Sequence, residues 1–203
     1  MPETSGTLEK LDRKAFEDLY GSHIVRDFPV AERRPLHSIR SLYKKGNYAG
    51  IALKKDGALQ AYAAFLHDAS IGGVLLDYFA VERGLRGGGI GSGFLRRLRG
   101  LWDGKAGIII ESELPEQARA PGERATRDRR LAFYVRAGAA LSPARWRAFG
   151  VDYNILWLPI RRALEEADPA SDIRALYGLS LPKAVLSRAT KVYGGTGEGR
   201  DGD

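Results

Sequence analysis

The stretch from Phe79 to Gly91, Phe-Ala-Val-Glu-Arg-Gly-Leu-Arg-Gly-Gly-Gly-Ile-Gly, limits what this chain can fold into more than any other segment. It joins three pieces in a fixed order. An apolar run from Val74 to Val81 reads as a strand, and Arg86-Gly87-Gly88-Gly89-Ile90-Gly91 reads as a glycine-rich loop. Ile90, Phe94, Leu98 and Leu101 then fall on one face of a helix. Five glycines within residues 87–93 weaken a helix start, so a tight connection built for packing alone is a poor reason to keep them. Anion binding is a better one. Without Cβ atoms, successive backbone N–H groups converge on a phosphate. The helix N-terminus adds about half a positive charge, and Arg86 offers a forked donor suited to phosphate oxygens. Arg86, Gly87, Gly88, Gly89, Ile90, Gly91 and Ser92 are therefore the candidate phosphate-binding residues.

The kind of phosphate ligand is narrowed by the spacing. The dinucleotide fingerprint G-x-G-x-x-G fails in every register, because glycine would be needed at Ser92 or Phe94. The P-loop signature fails too, since Gly104-Lys105 lacks the upstream glycine and the following Ser or Thr. What fits is Arg-x-x-Gly-x-Gly after a strand ending in Ala-Val, which resembles the acetyl-coenzyme A signature of the GNAT superfamily of N-acetyltransferases. Residues 130 to 139, Arg-Leu-Ala-Phe-Tyr-Val-Arg-Ala-Gly-Ala, resemble the Leu-Tyr-x-x-x-Gly-Phe ending of the fourth helix of that family, with Gly138 as the helix stop and Ala139 in place of the usual aromatic. Between them, Gly107-Ile-Ile-Ile-Glu111-Ser-Glu113 coincides with the family's fifth strand. The resemblance covers roughly residues 48 to 158.

The resemblance implies an α/β (α+β) fold, with a central mixed but mostly antiparallel sheet, a splayed fourth and fifth strand, and flanking helices. It also implies acetyl-coenzyme A as co-substrate, direct attack by a primary amine in a ternary complex, and no metal. The main chain of Phe79, Ala80 and Val81 would hold the pantetheine arm, and the loop from Arg86 to Ser92 the pyrophosphate. Tyr134 would sit near the sulfur and protonate the leaving thiolate. Taken alone, Phe133 and Tyr134 read more readily as core aromatics on a last helical turn; the glycine loop and the Gly138 offset reverse that preference. The base is open among three choices. Glu111 occupies the position that serves as base in some relatives acetylating protein N-termini. Asp77 interrupts an apolar strand and needs a partner, a role in the site, or a raised pKa. Ordered water is the third. Glu111 and Glu113 share a strand face, so Glu113 is a candidate for binding a cationic acceptor. The family's asparagine seven residues before the tyrosine is Arg127 here.

Composition excludes several classes. There is no cysteine, hence no disulfide framework, thiolate metal site or cysteine nucleophile. The three histidines are scattered, and no apolar run approaches the roughly 20 residues that span a bilayer. A cytoplasmic protein without a signal peptide is expected, as a monomer or homodimer. The net charge of +7 comes from dispersed arginines with no nucleic-acid-binding motif, so it favours a polyanionic coenzyme over RNA. A non-catalytic acyl-coenzyme A-binding module and an RNA-directed acetyltransferase are the alternative readings.

Along the chain, residues 1–6 read as loose, Asp12 as a helix cap, and about 35–45 as a second helix. Lys54-Lys-Asp-Gly57 reads as the turn of a hairpin between Tyr48–Leu53 and Ala58–Leu66. Residues 114–128 read as a long polar link, either a lid over the acceptor or a solvated insertion. Strands are expected near 146–149 and 153–158. The domain is assigned to 1–159, a helical extension of it to 160–193, and a disordered tail to 194–203.

Overall fold

A computed structural model describes residues 5–194; residues 1–4 and the expected tail from 195 onward lie outside the described residues. The chain divides into two compact units, Met1–Ala69 with Leu76–Leu98, and Ser70–Leu75 with Arg99–Asp203.

The first unit begins with β1 (Thr7–Leu11), α1 (Arg13–Leu19), a π-helical turn (Tyr20–Ile24) and the short α2 (Val25–Asp27). The Asp12 carboxylate accepts the Ala15 N–H at 2.8 Å, which satisfies one of the helix's orphan donors as its sequence position predicts. Then follow α3 (Leu36–Lys45), β2 (Tyr48–Lys55) and β3 (Ala58–Leu66). Strand β1 pairs antiparallel with β2, and β2 with β3. Asp56 (φ 51°) and Gly57 (φ 79°) both take the left-handed conformation that a two-residue hairpin turn requires. Gly50 is dictated by packing, since a Cβ there would lie 2.5 Å from the Phe16 ring. Tyr43 and Tyr48 close around that ring at centroid distances of 5.6 and 5.4 Å. The unit ends with the latter part of β4 (Gly73–Val81) and the first turns of α4 (Ile90–Leu101).

In the second unit the start of β4 leads into β5 (Gly107–Glu113), and the order continues β7 (Val151–Pro159), β6 (Ala140–Ala148), β8 (Thr190–Tyr193). The Ala106 N–H donates to Gly72 O at 2.9 Å, so β4 and β5 start side by side and run parallel; β5–β7, β7–β6 and β6–β8 are antiparallel. The architecture is thus the mixed, mostly antiparallel α/β arrangement expected. Helix α5 spans Pro121–Arg136, α6 Pro169–Gly178 and α7 Lys183–Ala189.

Residues 7–11, for which no element was expected, form the edge strand β1, and two expectations are corrected. Residues 114–128 are neither a lid loop nor a plain insertion. They fold as a 3-10 turn (Pro115–Gln117) and the first half of α5, which starts at Pro121, several residues before the expected helix. Pro121 suits a first helical position, the Glu123 carboxylate takes the Arg119 N–H at 2.8 Å, and Glu123–Arg127 bridges the first turns. Beyond residue 159 the chain adds not only helices but the sheet strand β8.

Candidate functional site

The sequence-predicted residues divide between the units. In the first, β4 feeds the glycine loop. Phe79 stacks on Phe94 of α4 at 5.6 Å and 22°, which ties the strand end to the helix that follows the loop. The Arg86 Nε donates to Val81 O at 3.1 Å, folding the loop back over the end of β4. Gly87 (φ 87°) and Gly89 (φ 80°) are left-handed, and a Cβ at either would meet nothing within 4 Å. A Cβ on Gly88 would meet only Leu85 O, at 3.8 Å. These glycines are therefore not packing residues. They serve backbone geometry and leave open space at the start of α4, where Ile90 begins the helix and the Gly93 N–H is bonded back to Gly89 O at 3.0 Å.

Asp77, expected to need a partner, has two of them. Arg34 grips it in forked fashion (Nη2–Oδ1 3.0 Å, Nε–Oδ2 3.1 Å), and the Tyr48 hydroxyl donates to Oδ2 at 2.6 Å. Both charged side chains are about nine-tenths buried, at 9% and 10% exposure. Burial and the Asp77 charge hold the Tyr48 phenol well above its ordinary value, so the hydroxyl keeps its proton. Arg34 also fixes the neighbouring strand residue, its backbone N–H donating to the Tyr78 hydroxyl at 2.7 Å. The network reads as a structural clamp between the chain before α3 and β4.

In the second unit, Glu111 and Glu113 lie on one face of β5 but meet different groups. Glu113 is bridged by Arg127 at 2.9 Å and Arg130 at 3.8 Å, both from α5. Arg127 also bonds Glu123 and Leu114 O, so its guanidinium is committed to this acidic cluster. Glu111 instead receives the hydroxyl of Tyr177 on α6, at 2.9 and 3.0 Å from its two oxygens. Tyr134 sits in the last turns of α5, 6% exposed, with Phe133 edge-on at 5.1 Å. Burial pushes its phenol up to about 12, against an opposing pull from Arg130. It is thus protonated throughout the neutral range and can only act as a donor there. Its carbonyl accepts the Ala139 N–H at 3.0 Å, and Gly138 (φ 95°) turns the chain out of the helix as expected.

Tyr177 was not singled out as a functional residue from the sequence. Its neighbours Ile173 and Leu176 place it on an apolar helix face; the one hint is that a buried tyrosine hydroxyl usually finds a partner. Among the described residues there is no group of three or more metal-ligating side chains, and no helix is long and apolar enough to cross a membrane.

No family model and no curated protein matches the chain. Solved structures do. A GNAT-family protein from Bacteroides thetaiotaomicron superposes with a TM-score of 0.63 at 20% identity, covering 85% of this chain and 95% of that one. The ribosomal-protein-S18-alanine N-acetyltransferase from Escherichia coli gives 0.57 at 19%, covering 81% and 99%. The spermidine N-acetyltransferase from Vibrio cholerae, solved with coenzyme A and spermine, gives 0.55 at 10%, covering 77% and 96%. At such identities the likeness is one of fold. With its strand order, its parallel β4–β5 start and its glycine loop between β4 and α4, this chain has the GNAT fold.

Proposed function

We propose that this protein is an acetyl-coenzyme A-dependent N-acetyltransferase acting on a primary amine. The observation that carries the reading is the loop of residues 86–92: left-handed glycines with empty space where side chains would stand, at the N-terminus of a twelve-residue helix. Support comes from the fold shared with acetyltransferases and with structures that hold acetyl-coenzyme A or coenzyme A. The pyrophosphate takes the backbone donors of the loop and the Arg86 fork, and the main chain of Phe79, Ala80 and Val81 takes the pantetheine amides.

The chemistry assigned to the side chains follows from their environments. An alkylammonium has a pKa near about 10 and no lone pair, so it must lose a proton before it attacks the thioester carbon. Glu111, hydrogen-bonded by a neutral hydroxyl, is the carboxylate suited to take it, directly or through water. Asp77, clamped by a buried arginine, and Glu113, bridged by two, are structural. As the tetrahedral intermediate collapses, the C–S bond breaks and Tyr134 gives its proton to the thiolate. The nitrogen loses a second proton as the amide forms. Of the two protons from the ammonium, one replaces that of Tyr134 and the other leaves to solvent.

The test is calorimetric titration with acetyl-coenzyme A, comparing the wild type with Gly89→Glu. Micromolar binding lost in a folded variant supports the loop assignment. Equal affinity, or no binding at millimolar coenzyme, refutes it. Thiol release with spermidine and with a peptide beginning in alanine then reads turnover. Coenzyme binding without release on any amine would favour the non-catalytic module.

A further inference from the structure

We propose that Tyr177, from the helix beyond residue 159, is a positioning residue for the Glu111 carboxylate, which makes the C-terminal extension part of the catalytic apparatus rather than an appendage. The inference rests on the reading of Glu111 as base. One hydroxyl proton lies between two carboxylate oxygens at 2.9 and 3.0 Å, so the bond fixes the plane of the carboxylate and not merely one atom. A free glutamate side chain has about 1.5–2 kcal/mol of rotamer freedom to lose, and a base must be held within hydrogen-bond reach of its proton. A carboxylate has about four lone-pair sites, so the Tyr177 bond does not by itself exhaust them.

The tyrosine is itself held. Its ring meets the fully buried Trp146 of β6 edge-on at 5.3 Å, and Tyr177 is 7% exposed. A second contact anchors the start of the helix. The Asp172 Oδ2 accepts the Gly73 N–H at 2.7 Å, at a point where a Cβ on Gly73 would also touch Ile109. The Asp172 and Tyr177 bonds thus tie the helix to the sheet at two points. The charged groups that share the Glu111 face of β5 are Glu113 with its partners Arg127 and Arg130.

The experiment compares Tyr177→Phe, which keeps the ring against Trp146, with Glu111→Gln and the double variant. Tyr177→Phe is expected to lower kcat on the order of tenfold, the worth of one hydrogen bond to a charged group, with the melting temperature lowered by no more than about a few degrees and acetyl-coenzyme A affinity unchanged. In the Glu111→Gln background the same change should alter kcat less than about twofold, because a residue acting through Glu111 has nothing left to act on. A wild-type rate for Tyr177→Phe, or an undiminished loss in the Gln background, overturns the inference while leaving the proposed function standing. A wild-type rate for Glu111→Gln removes the base assignment and the inference with it. A readout that needs no acceptor is the Glu111 side-chain carboxyl resonance, assigned by its loss in Glu111→Gln. Its titration midpoint should rise in Tyr177→Phe, since the lost bond favoured the charged form, and an unmoved midpoint is again fatal.

Discussion

On β4 one carboxylate, Asp77, interrupts an apolar run, whereas β5 ends in two, Glu111 and Glu113, and the surroundings of Asp77 and Glu111 differ in kind. Asp77 on β4 meets a buried guanidinium in a forked ion pair, plus a tyrosine hydroxyl. Glu111 on β5 meets a tyrosine hydroxyl that bridges both its oxygens. Asp77 is thus held by an ion pair between two buried side chains, whereas the Tyr177 hydroxyl holds both oxygens of Glu111 without supplying a counter-charge. On the proposed reading the first is an anchor and the second the base.

Glu111→Gln tests the contrast most strongly. It should lower kcat by about a hundredfold or more with coenzyme binding retained, as expected for loss of a general base. Asp77→Asn should do the reverse, leaving Arg34 buried without its counter-charge at a cost of about 3–5 kcal/mol. Its melting temperature should fall by roughly 10 °C at this chain length while the rate per folded molecule holds. A slow but fully stable Asp77→Asn enzyme would invert the two roles. Tyr134→Phe sharpens the acid side: turnover should drop on the order of a hundredfold at unchanged coenzyme affinity, and an unchanged rate returns Tyr134 to the core.

The smallest expected effect concerns a third carboxylate. Asp152 on β7 is held well below the usual carboxylate range, first by Arg147 (2.6 and 2.7 Å) and then by Gln117 and Tyr193. Its folded-state pKa is depressed, so the stability it contributes is present above its unfolded value of about 3.9 and is lost as pH falls through that range. In thermal melts, Asp152→Asn should be a few degrees less stable than wild type at neutral pH, and the two curves should converge below about pH 4. A gap that stays constant with pH would remove the ion pair from the account.

What could be read from the sequence was local. Five glycines around the start of an amphipathic helix, Asp56-Gly57 between two apolar runs, Asp12 before a helix and Gly138 after one each state their geometry within a few residues. The missing parts depended on distant chain. Strand β1 has no alternation to declare it, Leu8 and Leu11 falling on opposite faces, and it exists by pairing with β2. Helix α5 lacks a continuous apolar face and is started by a proline and charge pairs, so its first half read as polar loop. Arg34 and Asp77 are 43 residues apart, Tyr177 and Glu111 66 apart, and no local pattern joins them. The need of Asp77 for a partner was visible; which residue answers it was not.

The bond between Gly73 and Asp172 closes 99 residues of chain, whereas Arg86 reaches back only five residues to Val81. Ring closure over the longer span is entropically dearer and waits on most of the intervening sheet. By span alone, the Arg86–Val81 contact is expected to form before the Gly73–Asp172 bond, and hydrogen exchange at the Gly73 amide during refolding tests that order: protection appearing as early as that of the β2–β3 hairpin amides would overturn it.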